Sequence, residues 1–225
     1  MASDGRNQAS RTAGLGAADT PSAGKGLPAC PEGGYIGGRA GDNGGNVTRC
    51  YGTGSVRGAG TMRGGDLGGI GGLVGRNSGE VTQCDGASEV NGNERVGGLV
   101  GETSCNITNC HSAGSVSGNA LVGGLVGING GSVTWCYSVG PVGGTGTGGH
   151  IGGLVGENGG DVAQSFWDTQ TSGQAASAAG TRKTTAEMQT ASTFQGAGWD
   201  INDIWTICEG NAYPRLQWEQ VECAE

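Results

Sequence analysis

The chain has 225 residues, of which 52 are glycine, 34% are hydrophobic and 5% are aromatic. Glycine lies far above its usual share of about 7% without a strict three-residue period, which excludes a collagen-like triple helix. The net charge of −8 speaks against nucleic acid or an anionic membrane surface as a partner. No apolar run approaches the roughly 20 residues of a membrane-spanning helix, so we expect no membrane insertion of this chain.

Residues 1–32 are rich in small residues and are predicted to form a flexible leader. They lack the basic segment followed by an apolar segment that marks a signal peptide. Taken alone, this stretch indicates a cytoplasmic protein.

The middle of the chain repeats one block, GGLVG followed by a Gly-x-Val-Thr-x-Cys segment. The copies begin at Gly72 (GLVGRNSGEVTQCDG), Gly98 (GLVGETSCNITNCHS), Gly124 (GLVGINGGSVTWCYS) and Gly153 (GLVGENGGDVAQSFW), with a degraded earlier copy at Gly38 (GRAGDNGGNVTRCYG). The steps between them are 34, 26, 26 and 29 residues. A period in the twenties predicts a solenoid, in which each unit buries its apolar side by stacking on its neighbours.

A step of 26 residues suits one coil of a parallel β-helix, whose coils stack about 4.8 Å apart. We therefore predict an all-β repeat solenoid of about five coils over residues 33–165, followed by a small α+β capping module over residues 166–225. Short, mostly β-branched residues should stack as inward-facing ladders. The predicted ladders are Ile36, Ile70, Val96, Val122, Ile151; Leu73, Leu99, Leu125, Leu154; Val74, Val100, Val126, Val155; Val47, Val81, Ile107, Val133, Val162; and Val56, Val90, Val116, Val142. The glycines between them are expected to supply positive-φ corners, and the sequence leaves open whether the coils are three-faced or flatter.

Four of the eight cysteines occupy one repeat position, with serine in the fifth copy. They are Cys50, Cys84, Cys110 and Cys136, followed by Ser165. The coil spacing leaves a disulfide between neighbours geometrically open, but reduced thiols acting as small core residues are the favoured interpretation. A column with one thiol per coil does not converge as metal ligands do, so we predict no metal site and no cofactor. The better disulfide candidate is Cys208 with Cys223.

Candidate catalytic groups are sparse. His111 shares its repeat position with Tyr51 and Asp85 and is expected to be a variable, exposed residue, while His150 lies in a Gly-rich insertion. Glu102 and Glu157 share a position two coils apart, at about 9.6 Å, which borders on the spacing of an inverting glycosidase. Nothing else assembles around them, so we predict no catalytic residues.

The last 60 residues do not repeat and carry four of the five tryptophans. Thr184 and Glu187 match a capping box, and Gly196 a stop, which predicts one short helix between them. Because a solenoid end exposes unpaired strand edges, we interpret this segment as a cap. The competing interpretation is an aromatic platform for a ligand.

The repeat GGLVG-x-N-x-G-x-V-T-x-C-Y-x-x-G-x-V-x-G closely resembles the GLUG repeat, with about five copies over residues 33–165. The stretches FWDTQTSGQ, GTRKTTAEMQTASTFQGAGWD and IWTICEGNAYPRL resemble the segment that often closes bacterial GLUG-repeat proteins. The first copy departs from the pattern, with Arg39 and Ala40 in place of Leu-Val.

The resemblance implies a large secreted or cell-surface bacterial protein, such as an adhesin-like chain or the N-terminal region of an immunoglobulin-A-cleaving metallopeptidase. We therefore expect an extracellular location, with the true start of the protein lying upstream. The expected function is a non-enzymatic structural or adhesive module, presenting loops 59–66 and 143–150 to a host or environmental glycan or a surface protein. The alternatives are an accessory module of a carbohydrate-active enzyme or surface peptidase, and self-assembly through the open first coil near Arg39. GLUG repeats bring no catalytic residues to carry over, and no HExxH motif occurs.

Overall fold

A computed structural model of the protein describes residues 35–58, 68–145, 150–220 and 223, together with the backbone of a short strand at Ala23–Gly24. This strand pairs with Tyr51 and Gly52 and lies within the predicted leader, the rest of which is outside the described residues. The predicted loop 59–66 also lies outside them, and the loop 143–150 is described at 143–145 and 150.

Each coil contributes short strands to four parallel sheets, which follow one another along the chain. The first sheet contains Ile36–Gly37, Ile70–Gly71, Glu94–Gly97, Ala120–Gly123 and Ile151–Gly152. The second sheet contains Ala40–Asn43, Val74–Asn77, Val100–Thr103, Val126–Asn129 and Val155–Asn158. Both sheets have five strands, one from each coil of the described residues.

The remaining two sheets complete the coil. The third contains Val47–Thr48, Val81–Thr82, Ile107–Thr108, Ser132–Thr134 and Asp161–Ala163. The fourth contains Ala23–Gly24, Tyr51–Arg57, Asp85–Asn91, His111–Ser112, Val116–Gly118, Tyr137–Ser138, Val142–Gly144, Phe166–Asp168 and Thr181–Lys183. The fourth sheet therefore continues past the last coil into the C-terminal segment.

Residues at equivalent positions of successive coils pair directly. Val96 pairs with Ile70 on one side and Val122 on the other. The ladders that begin at Val47, Val56 and the second-sheet Val74 follow the same one-coil register. This register confirms the predicted all-β solenoid with stacked coils.

The interior of the coils is divided into two apolar clusters. One contains the leucines and valines of the second and third sheets with the thiols, and the other contains the first-sheet ladder and the Val56 ladder. Between the two clusters the opposite walls of the coil nearly touch, since a Cβ added to Gly98 would lie 2.1 Å from Ser112 Oγ of the fourth sheet. The same Cβ would lie 2.2 Å from the carbonyl oxygen of Gly124, the equivalent residue of the next coil. The cross-section is therefore a flattened loop pinched at a glycine waist.

The corners between the third and fourth sheets correct the expected role of glycine. They are formed by non-glycine residues with left-handed backbone at φ 45–51° or 53°, and these corner residues are Arg49, Gln83, Asn109, Trp135 and Gln164. Among the described glycines of the coils, Gly54 has a positive φ. The prediction of glycine corners was wrong because the repeated glycines are required by close approach of neighbouring walls and coils, as at Gly98, rather than by left-handed backbone.

The solenoid ends on Trp167, which joins the apolar cluster of the second and third sheets. Residues 174–183, here called the end segment, cover the last coil. Ala176 accepts a hydrogen bond from Gly153 N (3.0 Å), and Ser177 Oγ accepts from Leu154 N (3.2 Å) and Val155 N (2.9 Å). The end segment thus supplies partners to backbone groups that a further coil would otherwise pair.

Residues 184–220, here called the lateral segment, fold back along the side of the solenoid. The helices that follow the last coil are Thr169–Ser172, Thr185–Met188, Ala191–Gln195 and the 3₁₀ helix Gln217–Glu219, and Trp205–Thr206 pairs antiparallel with Arg215–Leu216. Among the described residues, none of these helices is both long and apolar enough to cross a membrane.

The predicted capping box is present, since Thr184 N donates to Glu187 Oε2 at 2.8 Å and Thr184 Oγ1 accepts from Glu187 N at 3.3 Å. The prediction of one continuous helix up to Gly196 was wrong. Thr190 adopts an extended backbone and its hydroxyl donates to Ala186 O (2.8 Å), so the chain divides into two short helices at that residue.

Candidate functional site

The site is built on an outward row of the fourth sheet, two residues beyond the corner residues. The row is Tyr51, Asp85, His111, Tyr137 and Phe166, and consecutive members pair in register. The row is buried except for Tyr51, which is half-buried. The prediction that His111 is exposed was wrong, because the lateral segment covers it completely.

The lateral segment reaches the corners with three tryptophans. Trp218 Nε1 donates to Gln83 O (2.9 Å), Trp205 Nε1 to Asn109 Oδ1 (3.2 Å) and Trp199 Nε1 to Gln164 O (2.9 Å). Their rings lie over the outward row: Trp218 stacks on Tyr51 with centroids 6.2 Å apart. Contacts therefore extend from the first coil to the fifth.

Beneath this cover lies a buried charge cluster of Asp85, His111 and Glu219. His111 Nε2 is 2.8 Å from Glu219 Oε1, and His111 Nδ1 is 3.3 Å from Asp85 Oδ1. Asp85 belongs to the second coil, His111 to the third and Glu219 to the 3₁₀ helix. Arg215 completes the set, with Nη1 3.8 Å from Glu219 Oε2.

Aromatic rings surround the cluster. The His111 ring is parallel to Tyr137, with centroids 5.0 Å apart and 6° between planes, and Trp205 lies 5.9 Å from it. Tyr137 donates its hydroxyl proton to the carbonyl oxygen of Pro214. Because the site is closed by these groups, His111 is fully excluded from solvent.

Three atoms of the cluster lack a hydrogen-bond partner: Asp85 Oδ1, His111 Nδ1 and Glu219 Oε2. A neutral imidazole donates from one ring nitrogen only, so its other nitrogen would turn a lone pair toward a carboxylate. An imidazolium donates from both nitrogens and carries one positive charge between two negative ones. The arrangement of the carboxylates on either side of the ring therefore favours the protonated form.

The pKa directions agree with this geometry. Burial lowers the pKa of His111, but the carboxylates of Asp85 and Glu219 outweigh burial and leave it above its usual value of 6.5. Burial raises the pKa of the Asp85 carboxyl, partly opposed by the charge of His111. Burial likewise raises the pKa of the Tyr137 hydroxyl.

A divalent metal ion fits this cluster less well than a proton. The potential ligand atoms of Asp85, His111 and Glu219 lie within 4.8 Å of one another. However, the two carboxylates face different nitrogens of one imidazole ring, whereas metal ligands point their lone pairs at one centre. The set is arranged around the ring of His111 and not around a common point.

The predicted cysteine ladder lies inside the corners. Cys50, Cys84, Cys110 and Cys136 are all buried, and the last three are free thiols. Cys84 N donates to Cys110 Sγ (3.3 Å), and Cys110 N donates to Cys136 Sγ (3.4 Å). In the last step Ser165 Oγ accepts from Cys136 N (3.1 Å), and burial raises the pKa of the Cys84 and Cys110 thiols. The thiols of Cys110 and Cys136 therefore accept hydrogen bonds from the backbone of the preceding coil, which the sequence pattern alone did not indicate.

This arrangement predicts that Cys110→Ser is less destabilising than Cys110→Ala. Alanine leaves the buried Cys84 N–H without its acceptor, at a cost of about 1–3 kcal/mol, whereas a serine hydroxyl accepts it as Ser165 does in the last coil. Urea unfolding midpoints followed by circular dichroism measure the difference, with half-buried Cys105→Ser as the control outside the ladder. A serine variant less stable than the alanine variant would contradict the acceptor role.

The other predicted residues are the leucine ladder and the pair Cys208 and Cys223. Leu73, Leu99, Leu125 and Leu154 are fully buried, and each of the first three donates its backbone N–H to the carbonyl oxygen of the next leucine at 2.9 Å. Cys208 and Cys223 form a disulfide with their Cα atoms 5.5 Å apart. The leucines lie in the solenoid interior, and the disulfide joins Cys208 of the lateral segment to Cys223 after it.

The structure does not bring the two glutamates of the glycosidase alternative together. Glu102 and Glu157 each pair with Ile128 between them, and each carboxylate faces a different basic side chain. Glu102 Oε2 is 3.0 Å from Arg95 Nη1, and Glu157 Oε2 is 3.5 Å from His150 Nδ1. His150 is largely exposed. The two carboxylates therefore contact different side chains.

Sequence reasoning missed the cluster because its members are distant in the chain. Asp85 and His111 were visible as unusual members of an otherwise aromatic row, at the position of Tyr51 and Tyr137. The partner Glu219 lies 108 residues beyond His111 and has no repeat position. The signal available in the sequence was the replacement of aromatic residues by Asp85 and His111 in this row, which indicates a charged partner from another part of the chain.

Comparison with known proteins identifies one of the repeats. Residues 92–117 match the family model described as the GLUG motif, which is the third coil. A putative Gly-rich membrane protein of Evansella cellulosilytica is 47% identical over 55 residues, which is 24% of this chain and 6% of that protein. The matched region thus spans a small fraction of the relative's length. No solved structure matches the chain significantly.

Proposed function

We propose that this chain is a non-enzymatic structural or adhesive module of a secreted or cell-surface bacterial protein, acting as a rigid spacer or a binding surface. The observation that carries the proposal is the lateral segment fastened along all five coils, from Trp218 at the first coil to Trp199 at the fifth. A segment tied at both ends of a stack resists bending and shear between the coils.

The coils themselves add stiffness. Backbone hydrogen bonds run from coil to coil, and side-chain hydrogen bonds of the asparagine column join three of the four pairs of neighbouring coils. Asn43 Nδ2 donates to Asn77 Oδ1 (2.7 Å), Asn77 Nδ2 to Thr103 Oγ1 (3.1 Å), and Asn129 Nδ2 to Asn158 Oδ1 (2.7 Å). Bending the stack would break these ladders together, which is the behaviour required of a spacer.

A secreted or surface location is supported by the GLUG motif at residues 92–117 and by the membrane-protein description of the relative. The disulfide between Cys208 and Cys223 is compatible with an oxidising compartment. Glu102 contacts Arg95 and Glu157 contacts His150, and this separate engagement of the two carboxylates supports a binding or spacing role over hydrolysis. The alternative of an accessory module to a carbohydrate-active enzyme or a surface peptidase shares this non-catalytic role.

A binding screen of the full chain against a glycan array and extracellular-matrix proteins tests the proposal, followed by a hydrolysis assay on each glycan bound. We expect saturable binding without turnover for an adhesive module, and no binding for a pure spacer. Turnover that is abolished in Glu102→Gln or Glu157→Gln would overturn the non-enzymatic function. Glu89→Gln, an exposed change elsewhere on the solenoid, is the matched control.

A further inference from the structure

We propose that Asp85, His111 and Glu219 form a proton-operated lock that holds the lateral segment against the second and third coils and loosens as the pH rises. The lock joins two parts of the chain: Asp85 and His111 belong to the solenoid, while Glu219 lies in the 3₁₀ helix Gln217–Glu219. It acts independently of any partner that the outer faces bind.

The protonated cluster pairs its buried donors and acceptors. With His111 protonated, Nε2–H donates to Glu219 Oε1 at 2.8 Å and Nδ1–H faces Asp85 Oδ1 at 3.3 Å. His111 Nδ1 and Asp85 Oδ1, which otherwise lack hydrogen-bond partners, then face each other as donor and acceptor. The third such atom, Glu219 Oε2, lies 3.8 Å from Arg215 Nη1. With two carboxylates, one imidazolium and one guanidinium, the cluster is neutral overall.

Loss of the proton from His111 unbalances the charges of the cluster. Either neutral tautomer of His111 would present a lone pair to a buried carboxylate, and two negative charges would remain against one cation. The titratable and charged groups that face His111 are Asp85 and Tyr137 from the adjacent coils, and Glu219 and Arg215 from the lateral segment. Of these, Arg215 alone carries a positive charge, and its side chain is 44% exposed. The deprotonated cluster therefore repels Glu219 from the coils.

The direction of the pH effect follows from linkage. The pKa of His111 is higher in the folded chain than its usual 6.5, so the stability that it contributes is fully present below pH 6.5 and is lost as the pH rises through the folded value. The pKa of Asp85 is also raised, which has the same sign in a more acidic window: the stability that it contributes is fully present below pH 3.8 and is lost as the pH rises through its folded value. The loosening above pH 6.5 therefore follows the titration of His111.

The test uses the full chain with His150→Ala, which leaves His111 as its only histidine. Residue 150 has 66% of its side chain exposed, far from the cluster. The imidazole Cε1–H signal and the indole N–H signals of Trp205 and Trp218 are recorded by NMR from pH 5 to pH 9. We expect the imidazole to titrate with a midpoint above 6.5, and the two indole signals to shift with the same midpoint as the lateral segment loosens.

A neutral His111 throughout, or indole signals that do not follow its titration, would overturn the lock. Glu219→Gln and Asp85→Asn in the same background should each lower the midpoint by about one pH unit or more, since each removes one neighbouring negative charge. Glu89→Gln, with its side chain 52% exposed and outside the cluster, should leave the midpoint unchanged. Because the titration of the unsubstituted cluster is decisive on its own, a cluster variant that fails to fold does not prevent the test.

Discussion

Gly98→Ala is expected to destabilise the coil stack by roughly 3 kcal/mol or more, as overpacking of a closed interior does. The added Cβ would lie 2.1 Å from Ser112 Oγ and 2.2 Å from Gly124 O. The second contact is with backbone of the next coil, so rotating a side chain cannot relieve it. The urea midpoint, followed by far-ultraviolet circular dichroism, measures the loss.

Two further variants make this result specific to the waist. Gly159→Ala also replaces a repeat glycine, but its Cβ would meet Asn129 O at an ordinary 3.7 Å, and the residue is exposed. It should change stability by less than about 0.5 kcal/mol. Adding Ser112→Gly to Gly98→Ala removes the Oγ contact and leaves the carbonyl contact, so it should rescue part of the loss. Equal midpoints for Gly98→Ala and Gly159→Ala would show that the waist tolerates a methyl group.

Trp205→Ala is expected to cost about 3–5 kcal/mol, the range for truncating a buried tryptophan. Its side chain is fully buried, lies 4.8 Å from Trp199 and 5.8 Å from Tyr137 between ring centroids, and bonds Asn109. Because these contacts join the lateral segment to the solenoid, the loss should appear as undocking of that segment. Limited proteolysis should then cleave within residues 184–220 while the coils stay protected.

Trp218→Ala provides the comparison, because Trp218 is half-buried at the rim and stacks on half-buried Tyr51. Its loss should be smaller than that of Trp205→Ala. Trp205→Phe keeps most of the ring packing and removes the hydrogen bond to Asn109, for which we expect about 1 kcal/mol. If Trp205→Ala left the proteolysis pattern unchanged, the lateral segment would be held by contacts other than the central aromatic cluster.

The solenoid was predictable from the repeats because each of its residues meets its own counterpart in the next coil. Ile36, Ile70 and Val96 recur at one position, and the same three residues pair in the structure. In such a stack each residue pairs with the residue one repeat further along the chain, so the repeat length alone predicts the strand register. The left-handed corner at Asn109 was not predictable, because the equivalent corners of the other coils are occupied by Arg, Gln and Trp. These residue types share no preference for a positive φ that the sequence could reveal.

The C-terminal segment was predicted less completely. Its capping box at Thr184 is a local signal and was correct, whereas the helix break at Thr190 depends on a hydroxyl that bonds Ala186 and on Glu209, which accepts from Ala191 N at 2.8 Å. The sequence also indicated a cover for the solenoid end. The position of the segment along the side depends on contacts between residues far apart in the chain, such as the hydrogen bond from Trp205 to Asn109, 96 residues away.

The parallel β-solenoid, its one-coil register and its apolar ladders could be predicted from the repeat, because equivalent residues stack on one another in successive coils. The glycine waist, the lateral position of residues 184–220 and the charge cluster of Asp85, His111 and Glu219 became visible only in the folded chain. His111 is buried by the lateral segment, and its protonation depends on Glu219, which lies 108 residues further along the chain. Repetition encodes contacts between equivalent residues, and a segment without repeats can be placed only by packing against the surface that they form.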